Sequence, residues 1–160
     1  MDNNISDEVK SLIGVESVRE YTVTARSIKR FAQAIGDNNP LYFDEEYAAT
    51  TPYEGIVAPH LFFQSLTFDD PPADELSADG SPPELNVPVP AQRAVGGSSQ
   101  YELYHRARPG DKVTVKSKLS NVYTKTGRSG VLYFIEILTE FFNANSQLMA
   151  KETATYIKRV

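Results

Sequence analysis

The chain has 160 residues, of which 41% are hydrophobic and 23% charged, and a formal net charge of −5. That length suits a single domain, residues 1–160, and the balance is that of a globular chain rather than a disordered or fibrous one. No dense Lys/Arg stripe stands ready to neutralise phosphates, which argues against nucleic acid as partner. With no cysteine and two histidines, His60 and His105, disulfides and thiolate metal sites are excluded and no metal is expected.

In chain order, "MDNNISDEVK" is acidic and polar and lacks the basic start and apolar core of a signal peptide. No run approaches the ~18 apolar residues of a membrane span, so no membrane partner and a cytoplasmic location are expected. "REYTVTA" alternates Tyr21, Val23 and Ala25 against threonines and predicts a half-buried strand over residues 18–25. A helix follows, with Ser27 as N-cap, Ile28, Phe31, Ala32 and Ile35 as its inward stripe, and Gly36 just past its end. Then comes the polar run "GDNNPLYFDEE", in which Asp44 and Glu45 suit the cap of a short helix at "EEYAA". "APHLFFQSLTF" has almost no polar face, and the reading is a helix over residues 58–66 enclosed on most sides.

Residues 69–92 carry six prolines and no apolar periodicity. A long structureless insert of that kind is either a mobile surface loop or a lid over a ligand entrance. The second half supplies four β-branched and aromatic segments, separated by turns at "RPGD", "KTGRSG" and "NANSQ", and these are expected to form an antiparallel meander. "GVLYFIEILTEFF" is apolar on both alternating sets, as in a central strand covered on part of both faces. A curved antiparallel sheet wrapped round one apolar helix buries both elements; the expected class is α+β, with the hot-dog fold.

The stretch "FAQAIGDNNPLYFDEEYAATTPYEGIVAP" resembles the hydratase motif of MaoC-like dehydratases and R-specific enoyl-CoA hydratases, in which a helix ends in an aspartate, followed by Asn-Pro, a histidine and a second aspartate. "YELYHRARPGD" and the last two strands are similar to the N-terminal-dehydratase branch, so the likeness covers most of the chain. One departure stands out: two residues after Asn39-Pro40 the family's histidine is replaced by Tyr42. The resemblance implies hydration or dehydration of an acyl thioester at the 2,3 position. Coenzyme A is then part of the substrate, no separate cofactor is needed, and a homodimer or a heterodimer with a second hot-dog chain forms.

That chemistry requires a group that takes a proton from water and another that protonates the α-carbon. A phenol of ordinary pKa ~10 is a poor base at neutrality. The resemblance implies Asp37 as the carboxylate, with Tyr42 and His60 as the other catalytic candidates. Taken by themselves, Asp37 and Asn39 read as an Asx turn, Tyr42 as a structural or substrate-lining hydroxyl and His60 as a packed or surface residue. The implied substrate-binding set is Asn39, Pro59, Leu61, Gln64, Gly96, Gly97, Arg93 and Arg128, the start of the central helix offering N–H groups to a developing oxyanion. Arg93, Lys125 and Arg128 are candidates for the phosphates of coenzyme A, and His105 is expected to be exposed. Three activities are consistent with these residues: a hydratase or dehydratase, a non-catalytic acyl-CoA-binding subunit beside a catalytic partner, and a hot-dog thioesterase. The last lacks an acid within residues 59–66 to activate water.

Overall fold

Alternating β-branched and aromatic residues in the second half of the chain build the sheet on which everything else is laid. The computed structural model describes residues 5–68, 72–76, 86–91, 93–127 and 130–159. Its helices are α1 (Asp7–Leu12), α2 (Ala25–Ala34) and α3 (Glu45–Ala49), with 3-10 segments at Pro40–Tyr42 and His60–Leu66. Its strands are β1 (Glu16–Thr22), β2 (Arg93–Leu103), β3 (Lys112–Gly127), β4 (Gly130–Phe142) and β5 (Leu148–Arg159). They form one antiparallel sheet of order β1-β3-β4-β5-β2, which cradles the short central segment in the hot-dog arrangement.

The meander therefore holds for β3, β4 and β5 but not for β2, which pairs with β5 instead of its sequence neighbour. The connection from β2 to β3 is too long for a hairpin. It leaves the sheet, receives the Ala58 N–H at the Ala107 carbonyl (2.8 Å), and returns through a turn pinned by Val23 N–H to Asp111 and Gly110 N–H to Val23 (both 2.8 Å).

One face of the sheet carries the core, and the register makes it continuous across strands. Val115 lies opposite Phe141, which lies opposite Ala150; Leu119, Ile137 and Ala154 make a parallel row. Between these apolar rows runs a polar one, Ser117, Thr139 and Glu152, which divides the buried side chains into two clusters. The first gathers α2, the 40–42 turn and the central segment over Val113, Val115, Phe141, Met149 and Ala150. The second is closed by Ile5 and Val9 from the N-terminus and by Val87 and Ala91. The described end of the proline-rich insert is thus packed on the sheet, while residues 69–71, 77–85 and 92 lie outside the described residues.

Several local expectations are corrected. The α2 N-cap is Thr24, whose hydroxyl accepts the Ser27 N–H, with Ser27 reciprocating at N3 in a capping box. Tyr21 is on the inner side of β1 but 41% exposed, because β1 is an edge strand; Ile35, at the C-cap of α2, is 54% exposed. Asp44 does cap α3, accepting the Tyr47 N–H at 3.0 Å.

The central segment is not enclosed on most sides. Phe62, Phe63, Leu66 and Thr67 are buried while His60, Leu61, Gln64 and Ser65 are exposed, a four-residue alternation that gives it two faces. Leu61 is 46% exposed, so counting it as core hid the polar side in the sequence.

Phe63 and Phe141 hold this segment to the sheet, their rings 5.1 Å apart and both fully enclosed. Phe141→Ala is expected to cost ~3–5 kcal/mol in urea denaturation. A double-mutant cycle with Phe63→Ala should return a coupling of about 0.5–1.5 kcal/mol. Additive losses would show that the two rings are not one packing unit.

Candidate functional site

Gly36, at φ +70°, ends α2 in the left-handed region that glycine adopts without strain, and the chain turns into the Asp37 loop. The Asp37 N–H donates to the Ala32 carbonyl (2.9 Å), and its Oδ1 accepts the Asn39 N–H at 3.1 Å. The Asn39 Oδ1 in turn accepts the Leu41 N–H at 3.0 Å and caps the 3-10 turn that begins with Pro40. Two successive side-chain turns thus fix the direction of a half-buried Asp37 carboxyl. Tyr42 faces the other way, into the core, where it is 5% exposed in the same cluster as Leu41, Ala48, Val57 and Ala58.

Pro59 is buried and His60 exposed at the start of the central segment. The His60 ring rests on the Arg106 guanidinium, one amino nitrogen being 2.7 Å from Nε2 and 3.0 Å from Nδ1. The guanidinium amino group is thus within reach of both ring nitrogens, and the tautomer of the neutral ring decides which of them accepts. Burial first, and the Arg106 charge second, hold the imidazole below its ordinary pKa. Arg106 is itself fixed by its bond to the Ala58 carbonyl (3.2 Å) and by the Tyr53 ring 4.9 Å beneath it.

His60, Tyr53, Val57, Phe63, Leu103 and Arg106 line one cleft of about 390 Å³. Asp37 makes no hydrogen bond to His60 and does not line that cleft. Gln64 belongs to a second, wider groove between α2 and the exposed side of the central segment, with Arg30, Phe31 and Ser65.

The remaining candidates sit elsewhere. Gly97 lies at a bulge in β2, where an added Cβ would meet the Thr155 carbonyl at 2.9 Å and Ile157 Cγ1 at 3.2 Å, so close strand approach explains that glycine. Gly97 and Arg93 are about 20 and about 30 Å along β2 from Leu103 at the cleft. Lys125 stacks over the Tyr123 and Phe134 rings, at 5.4 and 4.8 Å. Arg128 lies outside the described residues. His105 is exposed.

Arg106, Arg108 and Tyr53 were not singled out by sequence reasoning. The available signal was the alternation "HRARPGD": in extended chain, two arginines at i and i+2 project to one side. No group of three or more His, Asp or Glu side chains is placed to hold a metal among the described residues.

A family model described as FAS1-like, dehydratase domain region, matches residues 11–152. A UPF0336 protein of Streptomyces avermitilis is 32% identical over 111 residues, which are 69% of this chain and 69% of that protein. A probable enoyl-CoA hydratase alpha subunit of Thermomonospora curvata is 27% identical over 142 residues, 81% of this chain and 43% of that protein. Among solved structures, the ChsH1-ChsH2 complex from Mycobacterium tuberculosis is alike in fold, with a TM-score of 0.74 at 22% identity, covering 96% of this chain and 94% of that chain.

The Arg106 contact makes the titration of His60 a direct probe of the cleft. Its NMR-monitored midpoint is expected below 6.5, and Arg106→Gln should move it upward. The folded state disfavours the protonated ring, so this group lowers stability as pH falls from about the unfolded value towards the folded one. A midpoint that ignores Arg106→Gln would contradict the geometry.

Proposed function

The chain belongs to the FAS1-like dehydratase-domain family of MaoC-like hot-dog proteins, and from that premise we propose that it works as one hot-dog subunit of an acyl-thioester hydratase or dehydratase. The reaction is addition or removal of water at the 2,3 position, with coenzyme A as part of the substrate. The observation that carries this reading is the split at the Asp37 loop. A carboxyl is aimed by two side-chain turns, while the position where the family's histidine is expected holds a tyrosine turned into the core.

Hydration needs a base for water and an acid for the α-carbon, held on the same water. Asp37 can orient water and accept its proton. Tyr42 is too enclosed to serve as the exchanging partner, and His60 is engaged by Arg106. The imidazole is then supplied by a second hot-dog chain, a reading supported by the fold shared with one chain of the two-chain ChsH1-ChsH2 complex and by similarity to a protein called an alpha subunit. Leu61 and Gln64 would line the acyl path on the exposed side of the central segment, which the buried Pro59 starts.

Alone, the chain should bind acyl-CoA yet hydrate crotonyl-CoA about 10²–10⁴-fold more slowly than an intact acid–base pair allows. Adding a second hot-dog chain that carries the histidine should recover that deficit, and Asp37→Asn in this chain should remove the gain. Steady-state kinetics on the three forms tests this. A fast isolated chain whose turnover survives Asp37→Asn would sink the proposal and direct attention to His60.

A further inference from the structure

In a chain with five more acidic than basic residues, arginines ordinarily find carboxylates. Arg106 and Arg108 do not: the ion pairs among the described residues join Lys10 to Asp7, Lys116 to Glu16 and Lys151 to Glu102. Asp111, the nearest acid in sequence, accepts the Arg108 backbone N–H through Oδ2 at 2.8 Å. Glu102 takes the Tyr104 hydroxyl at 2.7 Å as well as Lys151.

Neutral groups aim both guanidinium forks instead. Arg106 is held by the Ala58 carbonyl, the Tyr53 ring and the His60 ring, and Arg108 donates to the Tyr53 carbonyl at 2.7 Å. Each fork has five N–H groups, so most of their donors remain for a ligand. Both arginines line the 390 Å³ cleft, whose apolar floor of Val57, Phe63 and Leu103 strengthens their field. Neutral His60 accepts from Arg106 and so steadies the fork instead of competing with it for an anion.

We infer that this cleft is an anion site for a phosphate-bearing small molecule, gripped by Arg106 and Arg108 with Tyr53 as the support that fixes both. Planar guanidinium forks match phosphate oxygens two at a time, a geometry lysine does not reproduce. The second groove differs in this respect. Its Arg26 and Arg30 are exposed on α2, and among the described residues no hydrogen bond orients either guanidinium. The site itself stands on these contacts alone; only the expectation that coenzyme A occupies it rests on the hydratase reading.

The test is calorimetric and NMR titration of the full chain, at low salt, with inorganic pyrophosphate and separately with coenzyme A. Saturable binding of either is expected, with amide shifts centred on Tyr53, Arg106 and Arg108. Arg108→Gln, at an exposed position, and Arg106→Lys, which keeps the charge but loses the fork, should each weaken it about ten- to a hundredfold. Arg26→Gln should leave it within about twofold. Pyrophosphate binding without any coenzyme A binding would support the cleft and remove the thioester reading. No saturable binding of either ligand, or binding untouched by both cleft variants, overturns the inference.

Discussion

Glu152 is 2% exposed on the inner face of β5, and the burial of its carboxyl constrains everything packed over it. A carboxylate taken out of water needs donors, and the nearest is the Thr67 hydroxyl at 3.1 Å, just past the central segment. The Thr67 carbonyl in turn receives the Arg19 guanidinium from β1, so the same residue ties together the two edges of the core. Tyr101, paired with Glu152 across β2 and β5, has a buried hydroxyl without a hydrogen-bond partner of good geometry among the described residues. Burial first, and the Glu152 carboxyl next, push its ionisation far above the ordinary phenol value. Tyr156, on the same strand as Glu152, is pushed up to about 12 for the same two reasons.

With its C-terminal end fixed there, the segment has its other end fixed by Ala58, whose N–H goes to Ala107 and whose carbonyl receives Arg106. Between these anchors Phe62 meets Phe31 of α2 edge-on at 5.8 Å, and Phe63 meets Phe141 of the sheet. The rotation of the segment is therefore set. His60 is delivered to the arginine cleft at one end, while Gln64 and Ser65 face the groove beside α2. The Asp37 loop is placed independently, by Gly36 ending α2 and by the Leu41 and Tyr42 side chains anchoring the turn that follows.

That independence separates two kinds of chemistry within one chain. The Asp37 loop presents a directed carboxyl that is hydrogen-bonded to no imidazole among the described residues, whereas the cleft presents fixed positive charge with a neutral imidazole. A polar seam of Ser117, Thr139 and Glu152 lets a single sheet face carry two apolar clusters. One packs beneath the central segment, and the other is closed by α1 and the 86–91 stretch.

The strands, the α2 stripe through Ile28 and Ala32, the Asp44 cap and the Asx turn at Asp37 were legible in the sequence, because each depends on residues within one turn or on strict alternation. So was the motif that led to the family, since Asp37, Asn39, Pro40 and Asp44 keep their spacing whatever surrounds them. The partner of β2, the exposure of Tyr21 and Leu61, and the meeting of His60 with Arg106 across 46 residues were decided only by the tertiary structure. Local sequence fixes periodicity and turns, but which face is covered, and which distant charge comes to rest on a ring, depends on where a connection such as 104–111 crosses the sheet. That crossing is set by hydrogen bonds between residues far apart in the chain, which no local pattern encodes.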